Sequence, residues 1–329
     1  MVKVRADNCI AVPGKLMVAG EYAVRHGAAG LALAVDRVAL LRWCGGGPAP
    51  AGDLVARARD ACARALGRRP QGHCRVDTAA FSSGGRKLGL GSSAAVAAAA
   101  TASVFFEAGR ELESPAERQR MWRLARASHD VHQGVAGSGL DVAAALFGGW
   151  VRLDRGGSDS AIAAWAPPAG LRLVFCWLGR PASTPELVAA VDAFATRQPA
   201  AHRALMDEMA ALSAALTRAG SAAAAVKLLD RYGRAMAALG RRSATPIVPA
   251  IMQPLLAAAR DLGGGAKPAG AGGGDFALAA FAGSDAAAEF ERAARQRGVA
   301  VLDWRIQARG VHAITPRPAR AGPALEREP

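Results

Sequence analysis

Lysine, cysteine, aromatic residues and long apolar runs are all scarce in this sequence of 329 residues. The five cysteines are odd in number, widely spaced and without a C-x-x-C pair, which indicates reduced core residues rather than disulfides or a metal site. No run of about 18 apolar residues occurs outside Ala-rich, Gly-punctuated segments, so we expect no membrane insertion. With 51% hydrophobic residues, the chain has enough apolar material for one large or two ordinary globular domains.

Positive charge is abundant, with a formal net charge of +14. A field of this sign favours anionic partners in general, but the charges are scattered singly or in short pairs with little aromatic interleaving. This pattern disfavours nucleic acid, and on charge alone phosphorylated metabolites and no partner at all both stay open. We expect no nucleic-acid partner and a monomer or homodimer. The first seven residues contain an acid and lack the apolar stretch of a secretory signal, so the expected location is cytoplasmic.

The order of predicted elements indicates an α+β chain in two parts. The loop over 155–170 is the candidate boundary, giving domains at 1–168 and 169–315 and a disordered tail at 316–329. Ser114, Pro115 and Glu117 have the pattern of a hydroxyl-capped helix start. Strands are predicted over 31–44, 73–78, 148–153 and 171–178, with two more closing the chain. Helices are predicted over 53–66, 92–108, 114–133, 184–197, 203–219, 221–239, 249–262 and 284–296.

Three glycine-rich segments stand out because they are spaced through the whole chain. Each contains a lysine, which is informative because only five of the 41 basic residues are lysines. The segments are VPGKLMVAGEYAV at 12–24, KLGLGSSAA at 87–95 and KPAGAGGGD at 267–275.

The second segment has the features of an anion site. Gly89 and Gly91 let the backbone approach a ligand closely. Ser92 and Ser93 stand at the start of a segment rich in helix-forming alanines, so the free N–H groups and the positive end of the predicted helix meet at one point. The pattern predicts a nucleotide phosphate here, with hydroxyls in reach of a magnesium ion. The alternative is an ordinary serine-capped helix. The segment is neither a Walker A loop nor a dinucleotide fingerprint.

The third segment is too rich in glycine for a stable helix or strand interior. Such density is typical of a loop that presents backbone amides to a ligand, and the alternative is a flexible linker. The flanking Lys267 and the strand-like residues 276–281 favour a fixed loop.

Taken together, the three segments resemble, in order and spacing, the signature motifs of the GHMP kinase superfamily, over roughly residues 11–315. The resemblance implies two α+β domains, one ribosomal protein S5 domain 2-like and one ferredoxin-like, with the site between them. The details are most similar to the phosphomevalonate kinases, including GSGLDVAA at 137–144 and WLGRPAST at 177–184. Ala269 and Phe276-Ala277 depart from the usual Ser and Cys-Gly of that family.

This resemblance implies transfer of the ATP γ-phosphoryl group to 5-phosphomevalonate, with Mg²⁺, and it assigns roles to individual residues. The implied catalytic residues are Lys15 and Asp141. The implied nucleotide-binding residues are Lys87, Gly89, Leu90, Gly91, Ser92, Ser93 and Ala94. The implied substrate-binding residues are Glu21, Ser138, Ser183, Thr184, Lys267, Gly270, Gly272 and Gly273. The implied metal ligands are Ser92, Ser93 and Asp130.

More specific predictions can be made for Asp141 and for two histidines. An acceptor phosphate with a second pKa of about 6 is already largely ionised, so we predict that Asp141 pairs with Lys15 and orients it rather than acting as an obligatory base. His129 and His132 stand at i and i+3 without a third ligand, and we interpret them as structural.

Other functions remain open at this point. Mevalonate kinase and diphosphomevalonate decarboxylase share the implied fold. A catalytically silent GHMP-like protein that binds a metabolite is a hypothesis of another class, against which the joint presence of Lys15, Ser92, Ser93 and Asp141 argues. A general nucleic-acid binder would leave the three glycine segments unexplained.

Overall fold

The computed structural model describes residues 8–44, 53–134, 136–156, 159–179 and 184–314. Strands in these ranges form two larger antiparallel sheets and one short hairpin. The strands are β1 (Cys9–Ala19), β2 (Gly30–Cys44), β3 (His73–Asp77), β4 (Ser82–Ser83), β5 (Arg86–Lys87), β6 (Trp150–Gly156), β7 (Asp159–Ala164), β8 (Arg172–Trp177), β9 (Gly265–Pro268), β10 (Phe276–Phe281), β11 (Ala300–Leu302) and β12 (His312–Ile314). The first sheet has the order β12-β1-β2-β6-β7, with β3 also paired to β2, and the second has the order β11-β8-β10-β9.

Helices cover both sheets. They are α1 (Leu54–Ala65), α2 (Ser92–Glu107), α3 (Pro115–Gln133), α4 (Leu140–Phe147), α5 (Thr184–Arg197), α6 (Pro199–Leu216), α7 (Ala222–Ser243), α8 (Gln253–Asp261) and α9 (Ser284–Gln296). Helices α2 and α4 pack on β1 and β2, whereas α7, α8 and α9 pack on the second sheet. None of the helices described combines the length and apolar character that a bilayer span requires.

Helix α2 is the central support of the first unit. Twelve of its 16 residues are buried, and most of them are alanines. A helix surrounded on all sides has no polar face to present, and small side chains let its neighbours approach closely. Because α1, α3, α4 and β1 all pack against it, the N-terminus of α2 is held in a fixed position.

Several sequence predictions are confirmed by these bounds, and others are corrected. Helix α1 lies within the helix predicted over 53–66, and Asp53 caps it by accepting the Val55 N–H at 3.1 Å. The hydroxyl cap predicted at Ser114 is wrong, because its side chain makes no capping bond and Glu117 instead pairs with Arg110. Helix α8 begins later than predicted because residues 250–252 form a separate 3-10 turn.

The predicted loop over 155–170 contains a strand. Strand β7 pairs with β6 and extends the first sheet, so a structureless connection there is wrong. Pro167, Pro168 and Gly170, on which that prediction partly rested, follow the strand. Strand β12, from the end of the chain, pairs with β1 and so joins the first sheet rather than the second. The predicted disordered tail lies outside the described residues.

Candidate active site

A cleft of about 440 Å³ lies where the three glycine-rich segments meet. It is also bordered by the starts of α4 and α5, so both halves of the chain contribute to it. The predicted site residues that line the cleft are Lys15, Glu21, Lys87, Gly89, Ser138, Asp141, Thr184, Gly270 and Gly272. Sequence reasoning assigned no functional role to several others, namely Met17, Tyr22, Val24, Arg25, His129, Gly137, Val188, Ala269, Ala271 and Asp275.

Lys15 is delivered to the cleft by strand β1. The strand is irregular just before it, between Pro13 and Gly14, and the Lys15 N–H donates to the Leu90 carbonyl at 3.0 Å instead of to a sheet neighbour. This bond ties the first segment to the second. The side chain of Lys15 then crosses directly over Gly91, where an added Cβ would lie 2.7 Å from Lys15 Cε.

The start of α2 is an open anion site. Gly91 is the residue before the helix, with φ +76°, and no side chain caps the helix. The N–H groups of Ser92, Ser93 and Ala94 have no hydrogen-bond partner among the described residues, and unsatisfied amides of this kind favour an anion. The hydroxyl of Ser93 is 3.0 Å from His129 Nε2. The alternative of a serine-capped helix is therefore wrong.

Gly91 gives a direct test of this arrangement. We expect Gly91→Ala to displace Lys15 and lower turnover by about 10²-fold, the order of effect that small misplacements in an active site produce. Gly85 is the matched control, since it has the same φ of +76° but no atom within 4 Å of an added Cβ. Gly85→Ala therefore carries the backbone strain alone. In steady-state kinetics, the turnover rate of Gly91→Ala should be well below that of Gly85→Ala. Equal rates would contradict the placement of Lys15.

Glu21 and Lys267 form a buried ion pair that joins the first segment to the third. Lys267 Nζ lies 2.5 Å from Glu21 Oε1, and the two side chains are 0% and 2% exposed. Burial lowers the pKa of Lys267, and the adjacent carboxylate opposes that shift. The predicted substrate-binding role of Lys267 is therefore corrected, because a fully buried ammonium with a carboxylate partner is structural.

The third segment is a fixed loop, as its flanks predicted. Glu21 Oε1 also accepts the Gly270 N–H at 3.3 Å, and the Gly273 N–H donates to the Ile247 carbonyl at 3.0 Å. Gly272 has φ +90°, and an added Cβ would lie 2.3 Å from the same carbonyl oxygen, so a side chain cannot be placed there. Gly273 does not line the cleft, and its contribution is this anchoring bond.

Two tyrosines that sequence reasoning missed complete the anchoring. Tyr232 on α7 accepts the Gly20 N–H at 3.0 Å and donates to the Glu21 carbonyl at 2.9 Å. Tyr22 donates to the Ala271 carbonyl at 2.6 Å while its backbone holds φ +61°, a conformation that non-glycine residues rarely adopt. Burial raises the pKa of both hydroxyls, so they stay protonated donors.

Asp275, at the end of the third loop, is the most informative residue that sequence reasoning left without a role. Its Oδ1 accepts the Trp177 indole N–H at 3.2 Å. Its Oδ2 would clash with a Cβ placed on Gly89, so the two glycine loops meet at this carboxylate. Burial raises the pKa of Asp275 to about 6, while the Trp177 hydrogen bond and the positive charge of Lys15 act in the opposite direction.

The raised pKa of Asp275 predicts a pH-dependent stability. The folded state holds this proton more tightly than the unfolded chain, so the contribution of Asp275 is fully present below the ordinary aspartate pKa of 3.8 and is lost as the pH rises through about 6. As the pH rises through this range, the free energy of unfolding of the wild-type chain should fall relative to that of Asp275→Asn. Urea unfolding at a series of pH values measures it, with exposed Asp285→Asn as the control. A pH-independent difference would contradict the assignment.

Helix α4 brings Asp141 and Ser138 to the cleft. Asp141 Oδ1 accepts the N–H of Val142, the next residue in the chain, at 2.9 Å. The predicted Asp141–Lys15 ion pair is wrong, since the described residues form no such pair, although both side chains line the cleft. Ser138 Oγ accepts the Leu140 N–H at 3.2 Å. Thr184 lines the cleft at the start of α5, and Ser183 lies outside the described residues.

Asp130 does not take the metal-binding role predicted for it. Its Oδ1 accepts the Gly137 N–H at 2.8 Å, and its Oδ2 lies 3.6 Å from Arg126 Nε. Arg126 in turn donates to the Gly137 carbonyl, so this pair shapes the turn before α4. The described residues hold no cluster of three or more acidic, His or Cys side chains suited to a metal. The oxygen donors at the start of α2 are the hydroxyls of Ser92 and Ser93, which suits a Mg²⁺ ion held mainly by phosphates and water.

Comparisons with known proteins agree with this geometry. Residues 53–149 match the family model "GHMP kinases N terminal domain" and residues 221–300 match "GHMP kinases C terminal". A phosphomevalonate kinase of Streptomyces sp. (strain CL190) is 35% identical over 219 residues, and the match spans 59% of this chain and 57% of that relative.

Solved structures share the fold at lower identity. The Lin0012 protein from Listeria innocua has a TM-score of 0.80 at 23% identity, covering 93% of this chain and 99% of that one. Streptococcus pneumoniae phosphomevalonate kinase, solved with phosphomevalonate and AMPPNP, has a TM-score of 0.78 at 17% identity, covering 91% and 99%. These matches confirm the two-domain fold that the three glycine segments predicted, and the chain belongs to the GHMP kinase family.

Proposed function

We propose that the chain is an ATP-dependent kinase that transfers the γ-phosphoryl group to the phosphate of 5-phosphomevalonate, giving 5-diphosphomevalonate and ADP. The observation that carries the proposal is that all three glycine segments line one cleft, with Lys15 in it and the uncapped start of α2 beside it, in contact with the cleft residues Lys15 and His129. The identity of 35% to a relative named phosphomevalonate kinase supports the choice of acceptor.

The start of α2, which lies beside the cleft under Lys15, is the nucleotide end of the proposed site. The free N–H groups of Ser92, Ser93 and Ala94, together with the helix dipole, offer fixed positive charge to the ATP phosphates. Exposed Lys87 lines the cleft beside Gly89 and adds a mobile cation. A Mg²⁺ ion on those phosphates, held by the hydroxyls of Ser92 and Ser93, would supply further charge neutralisation.

The acceptor end requires a cation because two polyanions must approach each other. Lys15 crosses the start of α2 and lines the cleft, so its ammonium would lie beside phosphates bound at that helix start. Asp275 and Asp141 both line the cleft with Lys15, and neither carboxylate forms an ion pair with it among the described residues. Since the acceptor phosphate is ionised above a pH of about 6, the transfer needs no general base.

The proposal is tested by measuring the rate of ADP release with each of four candidate substrates. Mevalonate, 5-phosphomevalonate, 5-diphosphomevalonate and homoserine are supplied in parallel with ATP and Mg²⁺. We expect turnover with 5-phosphomevalonate well above that with the others. Turnover only with another acceptor would refute the proposed substrate, and no turnover with any of them would favour a protein that binds a metabolite without catalysis.

A further inference from the structure

A second cavity lies in the C-terminal half of the chain, apart from the cleft. It has a volume of about 960 Å³, against about 440 Å³ for the cleft, and no residue lines both. Residues of helix α7, helix α8 and the segment 244–248 line it, and many of them have small or aliphatic side chains. A volume of this order accommodates a metabolite of ordinary size.

Three arginines give this cavity a positive rim. Arg234, Arg241 and Arg260 all line it, and among the described residues no carboxylate does. The nearby carboxylate of Asp230 accepts from Arg234 Nε and from Arg260 Nε, at 2.8 Å in each case. Arg241 has no ion pair or hydrogen bond with any described side chain. One carboxylate against three guanidinium groups leaves excess positive charge, with Arg241 available for a ligand.

The polar groups of the rim fit a phosphate. Each guanidinium is a planar fork of donors that matches the oxygens of a phosphate group, and Arg241 presents such a fork without competition. Gln253, the first residue of α8, lines the same cavity and adds a side-chain amide donor. The small and aliphatic side chains of the lining accommodate the carbon body of the same molecule.

The cavity wall is physically joined to the cleft. Ile247 stands between Pro246 and Val248, which line the cavity, and its carbonyl accepts the Gly273 N–H of the third loop at 3.0 Å. Gly272, which lines the cleft, packs against the same carbonyl. A shift of the segment 244–248 therefore moves a loop that borders the cleft.

We propose that this cavity is a second ligand site, that it binds a phosphorylated small molecule through Arg234, Arg241 and Arg260, and that its occupancy changes the affinity of the cleft for nucleotide. The coupling runs through Ile247 and the third loop. It is reciprocal, so the nucleotide changes the affinity of the second site by the same factor.

Calorimetric titration of the full-length chain with inorganic pyrophosphate tests the site. The protein is first saturated with AMPPNP and Mg²⁺, so that the start of α2 is occupied. We expect a binding event that Arg241→Ala weakens by about tenfold or more, the loss of a charge-assisted bond. Arg242→Ala is the matched control, because Arg242 is the adjacent exposed arginine and does not line the cavity.

The coupling is measured by titrating AMPPNP with and without saturating pyrophosphate. Direct competition at the start of α2 is common to all variants, so the coupling is the difference between them: we expect the pyrophosphate-induced change in Kd to be the same in the wild type and Arg242→Ala and to differ from that in Arg241→Ala by about fivefold or more. Absence of pyrophosphate binding to the AMPPNP-saturated protein, equal binding in Arg241→Ala and wild type, or the same change in AMPPNP Kd in both would each overturn the proposal. Binding is recorded without turnover, so this result is independent of the acceptor that the cleft uses.

Discussion

Lys15→Ala is expected to lower turnover by roughly 10²–10³-fold while the fold is retained, the effect of removing one preorganised positive group from a developing anionic charge. Two polyanions meet in the proposed reaction, and Lys15 is the cation that lies across the start of α2. Its loss leaves their repulsion uncompensated at the point of transfer. Steady-state kinetics with ATP and 5-phosphomevalonate measure the change, and circular dichroism establishes that the variant is folded.

Two further variants make the Lys15 result specific. Lys227→Ala removes an exposed lysine on α7, outside the cleft, and should leave turnover near the wild-type level. Asp141→Asn should retain more activity than Lys15→Ala, because the carboxylate has no ion pair with Lys15 and the acceptor needs no base. An Asp141→Asn variant as inactive as Lys15→Ala at every pH would contradict this division of roles.

The second large effect is on stability. Lys267→Met should lower the free energy of unfolding by about 3–5 kcal/mol, because it leaves Glu21 as a buried carboxylate without its cation. Both side chains are almost completely buried, with Tyr232 over the ammonium at 5.7 Å. Urea unfolding measures the loss, and the third loop should become more susceptible to proteolysis at the same time.

The double variant Glu21→Gln with Lys267→Met distinguishes a broken ion pair from a packing defect. Removing both charges should recover part of the loss, since no unpaired ion then remains buried. Arg295→Ala, which breaks an exposed pair with Glu291 on α9, should cost no more than about 1 kcal/mol. If the stability loss of the double variant equals the sum of the losses of Glu21→Gln and Lys267→Met, the buried pair does not act as a unit.

The sequence predicted the parts of the site that depend on local chemistry. Glycines at 89 and 91 followed by serines indicated an anion site before a helix, and the structure places an uncapped α2 there. The lysines were useful markers because the chain has so few of them. Lys15 and Lys87 line the cleft.

The parts that could not be predicted depend on contacts between distant residues. Lys267 was assigned to substrate because its segment is a ligand loop, yet its partner Glu21 is 246 positions away. Asp275 gains its role from burial and from Trp177, 98 positions earlier, and neither is visible in a run of glycines. Strand β7 was missed because its pairing with β6, rather than its own residues, makes it a strand.

Phosphorus NMR of the reaction products tests the central claim most directly. With ATP, Mg²⁺ and 5-phosphomevalonate, we predict that the single monophosphate resonance of the acceptor disappears and that two coupled diphosphate resonances appear together with those of ADP. The same reaction with Lys15→Ala should leave the acceptor resonance largely unchanged over the same time. Formation of ADP with free inorganic phosphate and an unaltered acceptor would contradict the account.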